Sequence, residues 1–205
     1  VQYNRETLTD VKQILRLLKQ NTLLRLNYGI FALHLALMAA FVAIPTILSE
    51  ELGIEGQNLW WVYLLLLGGG FVIMLPGMIM AEKYNRHKLI FLASVGVMTV
   101  VTLTLSFYRG SVVTPLLLLM FFTAFNLLEA SLPSWMSKSC PVGNRGTAMG
   151  IYSTSQFLGA FFGGLLGGWS LQVLGMNGLF VVISLILAIW WCLCLGMESP
   201  RPLKT

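Results

Sequence analysis

The sequence predicts an all-α integral membrane protein with six transmembrane helices. Hydrophobic residues make up 57% of the chain and charged residues 10%, whereas soluble domains carry about 25% charged residues. Six segments reach the roughly 20 apolar residues that a helix needs to cross a hydrocarbon core of about 30 Å. The two termini and alternate connections between these segments lie on the same side of the membrane. They contain twelve of the thirteen Lys and Arg residues, and only Arg109 lies in a connection on the opposite side. Because basic residues in short loops stay cytoplasmic, both termini are predicted to face the cytosol.

A segment before the first span has a different pattern. In residues 7–20, Leu and Val side chains recur at steps of three and four while Lys and Arg line another face, which is typical of an amphipathic helix at a membrane surface. This helix either connects the spans to a preceding membrane unit or only orders the terminus. We therefore expect a cytosolic amphipathic linker helix within residues 1–25, a six-helix bundle over 26–198 and a cytosolic tail over 199–205.

The predicted spans are residues 26–48, 59–81, 89–108, 112–137, 146–170 and 178–197. Their connections are about ten residues or fewer, so consecutive helices are expected to be antiparallel neighbours. Pro45, Pro76, Pro115 and Pro133 lie inside spans, where neighbouring helices can satisfy the freed backbone groups. These positions are candidates for bending.

Small residues mark the fifth span. Gly159, Gly163 and Gly167 follow one another at four-residue steps. Such spacing lets two helix backbones approach closely in a medium that provides little hydrophobic drive for association. The stripe predicts helix packing, and packing that can loosen is also what a gate would use.

Two ionisable residues lie deep within the spans, where charges are costly and therefore point to function. His34 is nine residues past Arg25, and Glu129 is nine residues before Lys138, so both are expected about 13 Å from the same membrane boundary at about 1.5 Å per residue. The same band also contains Asn126, Tyr152 and Gln156. A carboxyl group and an imidazole at one depth can bind and release protons, although each also has a purely structural interpretation: a histidine bonded to a backbone carbonyl, and a carboxyl held by Asn126 and hydroxyl groups.

The first span carries a face of larger side chains around His34. Its members are spaced three and four residues apart: Asn27, Phe31, Met38, Phe41 and Pro45. A face of aromatic and Met side chains with one polar centre suits apolar or amphipathic substrates. Ordinary helix packing is the alternative.

Catalytic motifs are absent from the sequence. With two His residues there is no HExxH pair, and neither GxSG nor GxxxxGK[ST] occurs. We expect no enzyme activity, no cofactor and no metal, and energy for any transport would come from a source other than a nucleotide bound to this chain.

Three stretches carry a resemblance to a known family. They are residues 122–134 (FTAFNLLEASLPS), residues 145–159 (RGTAMGIYSTSQFLG) and residues 26–30 (LNYGI). The chain resembles the C-terminal six-helix half of a major facilitator superfamily transporter, and within it the YajR-like group of proton-driven efflux proteins. The resemblance implies a multi-pass protein of the bacterial inner membrane that exports small apolar or amphipathic compounds in exchange for protons by alternating access.

The resemblance also implies the partners and the cavity. Partners would be the bilayer, protons, a small-molecule substrate and a second six-helix half, which is either an N-terminal half or another copy. The first, second, fourth and fifth spans would line the path, so the implied cavity residues are Glu129, His34, Asn126, Tyr152 and Gln156. Asn27 and Phe41, on the face of the first span around His34, are expected to line the same cavity. Metabolite uptake and a six-helix interaction module without transport are the alternatives.

The loop after the second span resembles the cytosolic latch of the same superfamily. It reads AEKYNRHK over residues 81–88, and the implied latch residues are Glu82, Lys83, Arg86 and Lys88. The loop departs from the family pattern at Glu82, where Asp is usual, and at Asn85, where Gly is usual.

Overall fold

The fold is helical throughout the part of the chain that the computed structural model describes, which is residue 14 and residues 17–141 and 143–197. The elements are α1 (Asn21–Thr46), a π-helical turn (Ile47–Glu51), a 3-10 turn (Gly56–Asn58), α2 (Leu59–Lys83), α3 (His87–Phe107), α4 (Val113–Ser139) and a run over Arg145–Leu195. Most of the predicted linker helix and the whole predicted tail lie outside the described residues. Each predicted span coincides with a helix or with part of the last run.

The last run contains a backbone break that divides it in two. It is 51 residues long, or about 76 Å at about 1.5 Å per residue, which far exceeds a hydrocarbon core of about 30 Å. Gly175 interrupts it with φ 70° and ψ −174°, a combination that is essentially restricted to glycine. We name residues 145–174 α5 and residues 176–195 α6. If the run Arg145–Leu195 is counted as one helix, the described residues contain five helices that are long and apolar enough to cross a membrane.

Contacts with α1 show that the chain reverses at Gly175. On α5, Gly159 lies against Phe31 and Gly167 lies against Ala39, so α5 runs parallel to α1. Trp190 of α6 lies against Gly29, and Gly196, which directly follows α6, lies against Arg25. Because the later residue contacts the earlier part of α1, α6 runs antiparallel to α1. The bundle therefore has six membrane-crossing segments in the described part of the chain, and the predicted all-α membrane fold is confirmed.

The most central element is α1, which packs against α4, α5 and α6. Leu26, Ile30, Leu33 and Ala36 are fully buried on it. A helix that is apolar all round and covered on several sides is the expected core of a membrane bundle. The outer elements are α2, which packs chiefly on α4, and α3, which packs on α4 and α6.

Two helices expose long apolar faces. On α2, Leu65, Val72 and Ile79 are exposed at seven-residue spacing, and on α5, Phe157 and Phe161 are exposed at four-residue spacing. Such faces contact either lipid or further helices.

Polar contacts tie the ends of the helices together. We call the end at which Lys83, Lys88 and Lys138 lie the basic side. There, Lys88 Nζ donates to the Leu195 carbonyl of α6 at 3.1 Å. On the opposite side, Arg109 Nε donates to both carboxylate oxygens of Glu51 at 2.8 and 3.1 Å, which joins the end of α3 to the π-helical turn after α1.

Candidate functional site

Three helices bring a carboxyl group, an imidazole and a carboxamide together inside the bundle. Gln156 Nε2 on α5 lies 2.8 Å from His34 Nε2 on α1 and 3.2 Å from Glu129 Oε1 on α4. His34 Nε2 and Glu129 Oε2 lie 3.8 Å apart. The structure thus joins the two deep ionisable residues through Gln156, a contact that their equal depth in the sequence did not specify.

The imidazole is held in one orientation by its own helix. His34 Nδ1 lies 3.3 Å from the Ile30 carbonyl, one turn earlier on α1. The edge of the ring also meets Phe125 of α4, with ring centroids 5.8 Å apart. Because a carbonyl only accepts hydrogen bonds, the proton of a neutral His34 sits on Nδ1, which leaves Nε2 free to accept from Gln156.

The glycine stripe places Gln156 within reach of His34. A Cβ on Gly159 would collide with the Phe31 carbonyl, and a Cβ on Gly163 would lie 2.5 Å from the Leu35 carbonyl. The backbones of α1 and α5 therefore approach more closely than larger residues would allow. Gln156 lies one turn before Gly159, at the start of this close contact.

The carboxyl group is the accessible end of the cluster. The Glu129 side chain is 35% exposed, against 11% for that of His34. Glu129 Oε2 is nevertheless locally buried and has no hydrogen-bond partner in the described residues.

The other predicted cavity residues are divided between this cluster and helix packing. Tyr152 lies one turn from Gln156 on α5 and is buried. Its hydroxyl group has no hydrogen-bond partner in the described residues, and the same is true of the side-chain oxygen of Asn27 on α1. Asn126 donates to the Leu67 carbonyl of α2 at 3.4 Å and has no hydrogen bond to Glu129 among the described residues. Phe41 packs against Tyr63 and Phe122, with ring centroids 5.7 and 5.9 Å away.

The residues of the basic loop have separate contacts in this structure. Glu82 lies 3.5 Å from His87, a residue that the latch pattern did not include. Lys83 lies over the Tyr84 ring, and Lys88 contacts the end of α6. Arg86 directly precedes α3. Within the described residues, the ion-pair partner of Glu82 is therefore the imidazole of His87.

No group of three or more His, Cys, Asp or Glu side chains suited to a metal ion occurs among the described residues. The site is an arrangement of hydrogen-bonding groups.

Comparison with known proteins gives consistent matches. The sequence model of the Major Facilitator Superfamily matches residues 26–205. The chain is 39% identical over 202 residues to the inner membrane transport protein YajR of Escherichia coli (strain K12), covering 96% of this chain and 43% of that protein. It is 35% identical over 159 residues to an uncharacterized transporter of Buchnera aphidicola subsp. Acyrthosiphon pisum (strain APS), covering 77% of this chain and 40% of that protein. The chain spans less than half the length of these curated relatives.

Proposed function

The chain belongs to the Major Facilitator Superfamily, and from this premise we propose that it is one six-helix half of a proton-coupled efflux transporter. In this proposal it works by alternating access against a second six-helix half and exports small apolar or amphipathic compounds. It lies in a bacterial inner membrane with both termini in the cytosol, which twelve basic residues on one side support. The Escherichia coli relative is named an inner membrane transport protein, which supports the same membrane.

The observation that carries the proposal is the position of Gln156 between His34 and Glu129. When His34 is neutral and Glu129 is ionised, both neighbouring atoms are acceptors. The two N–H bonds of the Gln156 amide then satisfy both at once.

Protonation reverses these requirements. A protonated imidazole donates through Nε2, and a carboxyl group protonated on Oε1 also donates, so the carbonyl oxygen of Gln156 then turns toward them. A single rotation of this amide therefore matches either the state in which both groups accept or the state in which both donate. An imidazolium beside a carboxylate can instead pair directly across the 3.8 Å between His34 Nε2 and Glu129 Oε2. The three groups lie on α1, α4 and α5. Binding of a proton therefore changes which packing arrangement of these helices is the more stable. Such a bias is what couples proton binding to a conformational change.

Exposed apolar surface supports the substrate class. Large apolar side chains dominate the exposed faces of α2 and α5, and Phe31 and Met38 of α1 are only partly buried. Such walls suit compounds that are held by contact area more than by hydrogen bonds. Neither a catalytic centre nor a cofactor enters the proposal.

The test is transport by the full-length protein in proteoliposomes, with substrates drawn from a panel of toxic compounds screened against a deletion strain. Glu129→Gln keeps the size of the side chain and removes its titration. We expect it to abolish flux driven by a pH gradient while substrate binding persists. His34→Gln should alter the pH profile.

Glu55→Gln, in an exposed turn on the opposite side, is the matched control and should transport normally. Full proton-driven flux in Glu129→Gln would return this carboxyl to a structural role and would end the coupling scheme.

A further inference from the structure

A gap between α2 and α3 lies over α4 at the basic side. Both helices pack on α4 but make little contact with each other. The gap opens there into a cavity of about 490 Å³ between the ends of the three helices. It lies apart from the cluster of His34, Glu129 and Gln156.

The wall of this cavity combines apolar side chains with several polar ones, and it includes one positive charge without a partner in the described residues. Lys138 and Ser134 of α4 line one side, and Glu82 and His87 line the other. Glu82 and His87 pair with each other at 3.5 Å. Lys138 is exposed and has no hydrogen bond or ion pair in the described part of the chain. The cavity therefore offers a free ammonium donor to an anion.

A second, apolar groove of about 440 Å³ continues from the first cavity toward the middle of the membrane. Ile90 and Leu127 line both spaces. Its hydroxyl groups belong to Ser94 and Thr123, and each donates to a carbonyl of its own helix at 2.9 and 2.8 Å. The other side chains that line the groove are apolar.

We propose that this joined space binds one membrane phospholipid. Its phosphodiester lies against Lys138 and Ser134, and one acyl chain occupies the groove between α2 and α3. A molecule with an anionic head and a long apolar tail matches a lining that is partly polar near Lys138 and apolar farther along between α2 and α3. A free phosphate ion would leave the groove unused.

The first test uses native mass spectrometry of the full-length protein in detergent, titrated with dioleoyl phosphatidylglycerol or with dioleoylglycerol, which has the same chains and no phosphate. We expect a one-to-one phosphatidylglycerol adduct. Lys138→Gln should weaken it about tenfold, as loss of a charge-assisted hydrogen bond does, and should leave dioleoylglycerol binding unchanged. Lys19→Gln removes an equal charge from an exposed position outside the cavity and should change the affinity less than about twofold.

The second test fills the groove. Ala93 is exposed and lines it, whereas Val100 is exposed on the same helix outside it. Ala93→Phe should weaken the binding of both lipids, and Ala93→Leu is a milder variant for use if Ala93→Phe fails to fold. Val100→Phe should leave the binding of both lipids unchanged.

Equal losses in Lys138→Gln and Lys19→Gln would indicate diffuse attraction and overturn the proposal. Unchanged affinity in the Ala93 variants, or displacement of the lipid by millimolar inorganic phosphate, would overturn it as well.

Discussion

At the scale of single residues, the side chain of Gln156 contacts both ionisable groups of the site. Gln156→Leu keeps the volume and leaves His34 Nε2 and Glu129 Oε1 without their shared donor. We expect proton-driven flux to fall about tenfold, the typical size of a lost coupling between two sites, and the pH profile of transport to flatten. The measurement is flux in proteoliposomes over a range of pH values.

Thr154→Val is the control for this change. Thr154 lies two residues earlier on α5, and its hydroxyl donates to the Gly150 carbonyl of the same helix at 2.9 Å. Identical pH profiles for the Gln156 and Thr154 variants would show that the carboxamide does not link the two ionisable groups.

A second prediction at this scale concerns Cys140, which directly follows α4 and is buried. Burial raises the pKa of the Cys140 thiol, and the positive charge of Arg145 opposes part of that rise. Because the thiolate is the reactive form, alkylation should be slow at neutral pH and should accelerate at a higher pH than for an ordinary thiol. Arg145→Gln removes the opposing charge, so its alkylation curve should move to still higher pH.

Peptide mass spectrometry of the alkylated protein would follow Cys140 alone. Lys19→Gln removes a basic residue that does not act on this thiol and should leave the curve in place. A shift to lower pH in Arg145→Gln would contradict the stated origin of the thiol pKa.

At the scale of elements, the contact between α1 and α5 depends on which glycine faces the partner helix. Gly163 lies against the Leu35 backbone, whereas a Cβ on the adjacent Gly164 would meet nothing within 4 Å. Gly163→Ala should therefore destabilise the bundle by about 1–3 kcal/mol, as overpacking does. Gly164→Ala should be neutral or slightly stabilising, because alanine favours the helix by about 1 kcal/mol over glycine.

Thermal unfolding in detergent compares this pair directly. Equal melting temperatures for the two variants would mean that α1 and α5 do not pack through this face. Separation of α1 from α5 would also move Gln156 away from His34, so Gly163→Ala should weaken the pH dependence of transport as well.

At the scale of the whole molecule, the distribution of charge predicts orientation. Tyr84 lies on the basic side and Gln57 on the opposite side, and both are exposed. In right-side-out vesicles, an impermeant thiol reagent should label Gln57→Cys and spare Tyr84→Cys, because basic loops stay cytoplasmic. Inside-out vesicles should give the reverse, and labelling of both from one side would refute the orientation. Introduced cysteines are needed because the native Cys140 is covered.

The exposed apolar surface of the bundle is the reason for proposing a second six-helix half. The exposed faces of α2 and α5 lie on the helices that the family resemblance assigns to the transport path. Glu129 is the accessible member of the cluster, and a carboxylate facing lipid costs about 2.5–3.5 kcal/mol at mid-membrane on insertion scales. Covering this region with further helices would remove that cost.

The sequence by itself determined the quantities that depend on distance along the chain. Span lengths follow from apolar runs, and orientation is predicted from twelve basic residues. The common depth of His34 and Glu129 follows from counting residues along each helix. The position of the reversal between α5 and α6 was also implied, because Gly175 lies in the predicted connection.

Only the tertiary structure decided which side chains meet. It paired Gln156 with His34 and Glu129, turned Asn126 toward α2 and Phe41 toward Tyr63, and gave Glu82 an imidazole partner. The physical reason is that lipid is as apolar as the bundle core. Apolar periodicity then cannot distinguish a buried face from a lipid-facing one, so the rotation of each helix is set by close packing at positions such as Gly159 and Gly163.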